Sequence, residues 1–308
     1  MTRSDAETVV DGARESREYW TRRFRQYGHT GDARRLIYAY DQPQRIRAIE
    51  RALGAARVEI NEKTKILDIG CGTGDLIAAL QVSGGTFAGI DFSEEVVRFA
   101  KRRLAEGPAR VRLFVMDIEN GAIRRGVFDV VTCVNVLQHV TRPEAFEAAV
   151  STMADVVGEG GHLLVMEFSP IRRPARQPAT HLVIRARSEY IKAFEKHGCC
   201  LVHEFGLPRI AVRVSQGLLR AARQLARAFQ THKAGATVPA RRQHDGGSSR
   251  GLDVTGALLL RIVKPFDVLL MPFPARYTDM RVLIFEKLSE ARQARSCGGR
   301  RAKGRCAS

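Results

Sequence analysis

Residues 65–74 read KILDIGCGTG, and this stretch decides the fold class. Its first half, residues 65–69, is a short apolar run that is typical of a buried strand. Its second half, residues 70–74, has glycine at every other position, which is typical of a tight turn. The apolar residues at 76–80 then predict a helix. The order strand, glycine turn, helix predicts the first βα unit of a parallel sheet.

The same alternation continues along the chain. Apolar runs predict strands, and amphipathic runs predict a helix from Asp41 to Gly54 and others between the strands. The predicted strands are 65–69, 86–90, 111–116, 128–134, 161–168, 200–205 and 280–285. The later helices are 93–107, 142–157 and 188–197. Fully apolar strands between such helices favour an α/β fold with a doubly wound, mostly parallel, seven-stranded sheet.

We expect four regions along the 308 residues. Residues 1–63 are predicted to form an N-terminal helical cap, and residues 64–207 with 277–289 the Rossmann-like core. Residues 208–276 are a long basic insertion, with helical periodicity, before the last strand. Residues 290–308 have almost no apolar pattern, so we expect a disordered basic tail.

Most of the positive charge lies outside the core. The chain has a net charge of +17, whereas residues 208–276 hold 12 Lys/Arg and 3 Asp/Glu, and residues 290–308 hold 6 and 1. These two regions therefore carry +14 of the total. They raise the hypothesis of an anionic membrane surface or an RNA as a partner, with a solvated arginine-rich helix face as the plain alternative.

Cysteine usage and hydropathy indicate a compartment. The six cysteines include no CxxC pair, which favours a reduced compartment. The first residues lack the apolar stretch of a signal peptide, and the most apolar late run, 256–274, is interrupted by charges and a proline. We therefore expect a cytoplasmic protein, with peripheral membrane association left open.

Polar residues recur where the predicted strands end. Ligands of open α/β sheets bind beyond the carboxyl ends of the strands. The residues predicted there are Asp68, the 70–74 turn, Asp91, Asp117 and Asn135. The turn lacks the G-K-[ST] of a phosphate-binding loop, while Asp91 suits a ribose and Asp68 suits a cationic ligand. The alternatives are an ordinary tight turn and a solvated strand-end charge.

Five motifs, in order, resemble those of the class I (Rossmann-like) S-adenosylmethionine-dependent methyltransferases, of the type 11/25 kind. They are ILDIGCGTG (66–74), GIDFSEEVVRFAKRR (89–103), FVMDIE (114–119), FDVVTCVNVLQHV (128–140) and GGHLLVMEFSP (160–170). The resemblance implies S-adenosylmethionine as the cofactor and a last strand that is antiparallel to the others. An insertion as long as 208–276 departs from the family's pattern.

The resemblance also implies roles for individual residues. Gly70, Gly72 and Gly74, with Cys71 among them, approach the cofactor, while Asp68 lies near its amino-acid part. Asp91 binds the ribose and Phe92 packs on the adenine. Asp117 faces the adenine amino group, Ile118 flanks the ring, and Asn135 faces the methionyl part.

The acceptor side offers fewer signals. His139 follows the fourth strand and is the candidate general base, or else a histidine that only shapes the pocket. Tyr38, Tyr40 and Gln42 precede the first strand and are candidates to cap the cofactor or acceptor; the tyrosines otherwise pack as half-buried residues. Glu167 is either a site carboxylate or a strand-end charge.

Two further sets complete the candidates. Tyr19, Trp20 and Phe24 form an aromatic patch that either lines an acceptor pocket or packs on the sheet. No His, Cys, Asp or Glu cluster has the spacing of a metal site, so no metal is expected.

These observations predict in-line methyl transfer to a hydroxyl or amine of a small molecule, such as a sugar, a polyketide or a quinone-like ring. One alternative is an RNA methyltransferase that holds its substrate through 208–276 and 290–308, although no base-handling N/D-P-P-Y/F motif follows the fourth strand. The other is an NAD-dependent oxidoreductase, against which the glycine spacing and Asp117 argue.

Overall fold

The computed structural model describes residues 18–31, 35–119, 121–207, 278–289 and 291–292. The helices are α1 (described over 18–27), α2 (Arg35–Ala55), α3 (Asp75–Leu80), α4 (Glu94–Leu104), α5 (Pro143–Val156) and α6 (Arg187–Lys196). The strands are β1 (Lys65–Ile69), β2 (Thr86–Asp91), β3 (Arg110–Val115), β4 (Phe128–Val134), β5 (Val157–Phe168), β6 (Cys199–Leu207) and β7 (Met280–Lys287). Short 3-10 turns span Gln81–Ser83 and Leu137–His139.

The seven strands form one sheet in the order β3-β2-β1-β4-β5-β7-β6. The first five strands in this order are parallel to one another, and β7 runs antiparallel to both of its neighbours. The predicted fold class, including the antiparallel last strand, is confirmed. Chain order reverses between β1 and β4, so the carboxyl ends of these two strands mark the switch point where ligands of such sheets bind.

The core lies on both faces of the sheet because successive strand residues point to opposite sides. On one face Leu67 and Val131 pack with α5 and α6, including the buried Tyr190 and Phe194. On the other face, residues such as Ile66, Phe87 and Val130 pack with α2, α3 and α4. Covering both faces leaves the strand ends as the place for chemistry.

Helix α2 begins earlier than its sequence predicts. The predicted start was Asp41, with Pro43 in the first turn, but the helix starts at Arg35 and Pro43 lies inside it. Pro43 has no N–H to donate to the carbonyl four residues earlier, which normally argues against an interior position. The contacts of α2 with β6 and β7 compensate for the missing bond, because they bury Ala48, Ile49 and Ala52 completely.

The predicted basic insertion, 208–276, lies outside the described residues, and so does the predicted tail apart from residues 291–292, where Arg292 contacts Glu286. Within the described ranges, no helix is both long enough and apolar enough to span a membrane. In the same ranges, no cluster of three or more His, Cys, Asp or Glu side chains has a geometry for a metal ion.

Candidate active site

The glycine turn after β1 adopts a backbone that only glycine tolerates well. Gly70, Gly72 and Gly74 all have positive φ, at 67°, 52° and 77°. A Cβ atom on Gly70 would lie 2.2 Å from Cγ2 of Val136, so the turn also approaches the segment after β4 closely. The Cys71 side chain is buried, and its N–H donates to the Ile90 carbonyl at 2.9 Å, which ties the turn to β2.

Asp91 links the end of β2 to the glycine turn. One carboxylate oxygen accepts the N–H of Gly72 at 3.1 Å, and the other accepts the N–H of Ser93 at 3.0 Å. Burial raises the pKa of Asp91 to about 6, with nearby Asp117 adding to the rise. Because each oxygen accepts one bond from the protein, a lone pair of each remains for ribose hydroxyls.

Asp68 is the most deeply placed of the carboxylates that were predicted to hold the cofactor. It is 3% exposed and accepts the hydroxyl proton of Thr132, on the neighbouring strand β4, at 2.7 Å. Burial raises its pKa to about 7, and Asp91 and Asp75 oppose its ionisation further. A carboxylate held in this way is stabilised by a bound cation.

The remaining predicted cofactor residues lie at the same edge of the sheet. Asp117 follows β3 and accepts the N–H of Glu119 at 3.0 Å, next to the buried Ile118. Phe92 is half-buried directly after Asp91. Asn135 follows β4 with a positive φ of 57°, and its buried Oδ1 has no hydrogen-bond donor within the described part of the chain. An orphaned amide oxygen at this position is available to a ligand.

Helix α1 crosses this edge from β2 towards β4. At one end Arg25 pairs with Glu95 at the start of α4, and Phe24 packs on Phe99 at 5.4 Å between ring centroids. At the other end Trp20 meets His139 edge-on at 4.7 Å. Ser93 is the N-cap residue of α4, and serine usually caps a helix with its hydroxyl, but this hydroxyl lies 3.1 Å from that of Thr21 in α1 instead.

His139 lies in the 3-10 turn after β4 with its ring orientation fixed. Its Nδ1 lies 3.0 Å from the carbonyl oxygen of His181, which makes Nδ1 the protonated nitrogen of the neutral ring. Nε2 then carries the lone pair, and Gln138 Nε2 is 3.4 Å from it. The pKa of His139 is lowered to about 4, chiefly by burial and also by the nearby His181 and Arg23, while the bond to the His181 carbonyl acts in the opposite direction.

The aromatic residues of α1 lie on the acceptor side. The Tyr19 ring stacks on His181 at 4.5 Å, and the rings of His181 and His139 are nearly parallel, 6.1 Å apart. The predicted aromatic patch is therefore divided: Tyr19 and Trp20 face the two histidines, whereas Phe24 packs on α4.

The predicted cap residues of α2 lie to one side of these groups. The Tyr38 hydroxyl donates to Asp75 Oδ2 at 2.7 Å, at the start of α3. With Gln42, it lines a cavity of about 490 Å³ along α2. Tyr40 is half-buried on the same helix. The structure thus brings Tyr38 to the end of the glycine turn, while Thr30, which follows α1, lies next to Gly72.

Sequence patterns did not indicate two residues that support the site. Arg185 contacts the turn of His139 across more than 40 residues of chain, and Thr132 reaches Asp68 from the neighbouring strand. Both contacts are made between segments distant in sequence, so no local spacing signals them. Glu167, weighed as a strand-end charge, is instead buried behind the same turn.

The arrangement fits a cationic sulfur nucleoside. The buried Asp68 and the half-buried Asp91, both with raised pKa values, share one edge of the sheet with a glycine turn and an orphaned amide oxygen. They combine acceptors for ribose hydroxyls with negative charge for an ammonium and a sulfonium. The fold is the Rossmann-like fold of the methyltransferase type, and nucleoside binding at this edge stays a prediction.

Comparison with known proteins agrees with this class. Residues 66–161 match the methyltransferase domain family. The ubiquinone biosynthesis O-methyltransferase of Thiobacillus denitrificans is 37% identical over 128 residues, which cover 41% of this chain and 51% of that enzyme. The enzyme of that name from Nitrosomonas europaea is 30% identical over 164 residues, covering 53% and 63%. The chain thus spans between half and two thirds of the length of these curated relatives.

Among solved structures, geranyl diphosphate C-methyltransferase from Streptomyces coelicolor A3(2) has a similar fold, with a TM-score of 0.51 at 13% identity over 80% of this chain and 81% of that one. Residues 66–161 thus match a methyltransferase domain, in agreement with the predicted resemblance to the class I S-adenosylmethionine-dependent superfamily. The predictions of this superfamily and of S-adenosylmethionine as its cofactor are confirmed.

Proposed function

We propose that the protein transfers the methyl group of S-adenosylmethionine to a hydroxyl group of a small aromatic molecule, a phenol, with His139 as the general base. The observation that carries this proposal is the fixed tautomer of His139, whose Nδ1–H donates to the His181 carbonyl at 3.0 Å. It leaves Nε2 unprotonated beside the aromatic side chains of α1.

The neutral base favours a phenol over an alcohol. A pKa of about 4 keeps Nε2 unprotonated at neutral pH, but it also makes the nitrogen a weak base. A phenolic hydroxyl, with a pKa of about 10, is far more acidic than a sugar hydroxyl and needs less assistance. Trp20 and the Tyr19–His181 stack offer flat surfaces to an aromatic ring.

The cofactor, when bound, supplies an electrophilic methyl group on a sulfur that leaves with the bonding electron pair. The chain aligns the acceptor oxygen with that methyl group and excludes water, which is where most of the acceleration arises. Nε2 of His139 takes the hydroxyl proton as the oxygen–carbon bond forms, and the imidazolium then returns it to solvent. Asp91 is assigned to the ribose, and Asp68 and Asn135 to the cationic end.

The relatives support oxygen as the acceptor atom. The two curated relatives, from Thiobacillus denitrificans and Nitrosomonas europaea, are both named ubiquinone biosynthesis O-methyltransferases. The oxidoreductase alternative is not pursued, because the superfamily uses S-adenosylmethionine. The RNA alternative depends on residues 208–276 and 290–308, which fall almost entirely outside the described ranges, and it stays a prediction.

The test measures S-adenosylhomocysteine formation with catechol, aniline and a sugar alcohol as acceptors. We expect turnover with catechol, and a loss of about 10²–10⁴-fold in kcat for His139→Gln, as for removal of a general base. His203→Gln, on the strand β6, is the control. Turnover with aniline alone, or full activity of His139→Gln, would contradict the proposal.

A further inference from the structure

The turn that carries His139 is held at both ends by buried ionisable side chains. It comprises Val136 to Val140 and includes the 3-10 turn Leu137–His139. We refer to residues 136–140 as the histidine turn. Its own backbone bonds are few, from His139 to Val136 and from Val140 to Leu137. Short 3-10 turns have weak hydrogen-bond geometry, so its shape depends on outside contacts.

Glu167 holds the beginning of the histidine turn. It is the penultimate residue of β5 and is 1% exposed. One carboxyl oxygen accepts two backbone N–H groups, those of Val136 at 2.8 Å and Leu137 at 2.7 Å. These are the donors that a turn leaves unsatisfied at its start. Glu167 therefore acts as a cap that is supplied from a neighbouring strand.

Arg185 holds the other end. Its guanidinium donates to the carbonyls of Leu137 at 2.8 Å and Val140 at 2.6 Å. The side chain is itself fixed, because Arg185 is 5% exposed and lies 3.9 Å over the ring of Phe146. The Arg185 cation at the carboxyl end matches the dipole of the turn.

The segment that carries Arg185 contacts the turn at alternate residues. The His181 carbonyl meets His139 Nδ1 at 3.0 Å, the N–H of Val183 donates to the Gln138 carbonyl at 2.8 Å, and Arg185 bonds the two carbonyls. Residues 181, 183 and 185 thus form one extended strip along the turn. Moving Arg185 moves the carbonyl that selects the tautomer of His139.

We infer that Glu167 and Arg185 are positioning residues, which hold the histidine turn from its two ends so that His139 presents an unprotonated Nε2 to the acceptor. Neither side chain hydrogen-bonds the His139 ring, so both act through the backbone. The inference rests on the proposed function for its catalytic consequence. Its structural content, the fixed tautomer of His139, is measurable without an acceptor.

The primary experiment is a ¹⁵N NMR titration of the histidine rings in the full-length protein, with His139→Gln to assign one of the eight histidines. In the unaltered protein we expect the Nδ1–H tautomer and a pKa of about 4 for His139. In Arg185→Met and Glu167→Met we expect that pKa to move towards the ordinary 6.5, because the ring loses burial, while loss of the bond to the His181 carbonyl offsets part of the rise. We also expect mixed tautomers, because Nδ1 loses its fixed acceptor. Besides the ring itself, the charged or titratable groups that act on this pKa are His181 and Arg23.

Matched controls separate positioning from general destabilisation. Arg187→Met removes the neighbouring arginine, which pairs with Glu204 at 2.6 Å and does not contact the histidine turn. Glu204→Gln removes its partner. We expect both to lower the melting temperature and to leave the titration of His139 unchanged. Equal titration curves for Arg185→Met, Glu167→Met and these controls would overturn the inference.

Conservative variants decide the matter if the methionine variants fail to fold. Burial raises the pKa of Glu167 to about 8, so the residue is mostly protonated at neutral pH. Glu167→Gln keeps a neutral acceptor oxygen for the two N–H groups, and we expect the unaltered titration. Arg185→Lys has a single donor head for two carbonyls, and we expect an intermediate shift. An unshifted Arg185→Lys would overturn the inference.

Turnover gives a second readout. If methyl transfer to phenols holds, kcat of Arg185→Met falls by about 10²-fold, the size of effect that a misplaced catalytic group produces. If no phenol is methylated, the proposed function is wrong, and the NMR titration still decides whether Glu167 and Arg185 position His139. The two failures are therefore distinguishable.

Discussion

At the scale of single residues, Asp91 joins the ribose side of the site to the glycine turn. We predict that Asp91→Ala weakens binding of S-adenosylhomocysteine at least tenfold, since one hydrogen bond to a charged group contributes about 1.5–3 kcal/mol. Isothermal titration calorimetry measures this, with NADH as a ligand that should not bind. Asp129→Ala is the control, because Asp129 is exposed at the start of β4. Equal affinities in the two variants would contradict the assignment.

Asp68 should make stability and binding respond to pH in opposite senses. Burial raises its pKa from 3.8 to about 7, so the folded protein binds more protons than the unfolded chain between these values. The contribution of Asp68 to the free energy of unfolding therefore falls as pH rises through this window. A cationic ligand favours the ionised form, so cofactor affinity should rise over the same window.

The substitution Asp68→Asn tests the pH dependence of both stability and cofactor affinity. The amide oxygen still accepts the Thr132 hydroxyl but carries no charge. We expect the variant without ligand to gain stability relative to the unaltered protein as pH rises towards 8, and to bind S-adenosylhomocysteine weakly at every pH. Urea unfolding and calorimetry at pH 5, 6, 7 and 8 give the two curves. Parallel stability curves would refute the buried, ionisable state of Asp68.

At this scale the sequence indicates residues at strand ends but not their partners. Asp91 and Asp117 were predictable because the carboxyl ends of parallel strands meet at one edge. The contacts of Thr132 and Arg185 join segments distant along the chain, and no local pattern encodes them. Ser93 is an example in which a local pattern misleads. Serine before a helix usually caps it, but this hydroxyl contacts Thr21 instead.

At the scale of elements, the glycine turn is limited by its approach to the histidine turn. We predict that Gly70→Ala destabilises the protein more than Gly126→Ala. Both residues have positive φ, at 67° and 62°, but only the new Cβ at 70 meets another group, Val136 at 2.2 Å. Gly126→Ala should cost about 1–2 kcal/mol for the backbone alone, and Gly70→Ala about 1–3 kcal/mol more for the clash.

Urea unfolding of the two variants measures this difference. A second substitution, Val136→Ala, removes both methyl groups that meet the new Cβ and should restore part of the stability of Gly70→Ala. Calorimetry with S-adenosylhomocysteine should show lost affinity for Gly70→Ala alone. Equal destabilisation by both glycine substitutions would mean that the turn has room at Gly70.

The helices and strands themselves were largely predictable, and their ends less so. Strand β4 matches its prediction because apolar residues occupy three of its four buried positions, at Val130, Val131 and Cys133. Helix α2 does not match its predicted start. Pro43 indicates the first turn of a helix from sequence alone, but packing on β6 and β7 stabilises a helix that continues on both sides of Pro43. Tertiary burial can outweigh a single backbone preference.

At the scale of the whole molecule, most of the positive charge lies outside residues 1–207, which hold the proposed methyl transfer site. Residues 1–207 have a net charge of only +3, against +17 for the chain. We predict that methylation of a small phenol changes little when salt rises from about 50 to 200 mM, a range in which several phosphate contacts would lose about 10³–10⁵ in affinity.

The measurement is the initial rate with catechol at the two salt concentrations, with and without added RNA. Deletion of residues 290–308 is the companion variant, and its rate should equal that of the full chain. A rate that collapses with salt, or methylated RNA, would favour the RNA alternative instead.

The fold as a whole followed from the alternation of strands and helices, because that alternation permits few sheet topologies. The order of the strands along the chain, the switch between β1 and β4, and the antiparallel β7 all agree with it. The acceptor side was much less predictable, because α1 and the 181–185 strip reach it from either end of the core.

The edge-on contact of Trp20 with His139 gives the protein an optical signal of its own. Trp20 is the sole indole among 308 residues, so the intrinsic fluorescence reports one place in the molecule, beside the imidazole of the histidine turn. An aromatic molecule that enters there should quench or shift this emission, and the titration would give its dissociation constant without any chemical step. The Trp20→Phe variant should show no such change in emission. A library of unlabelled compounds could thus be screened for the natural acceptor.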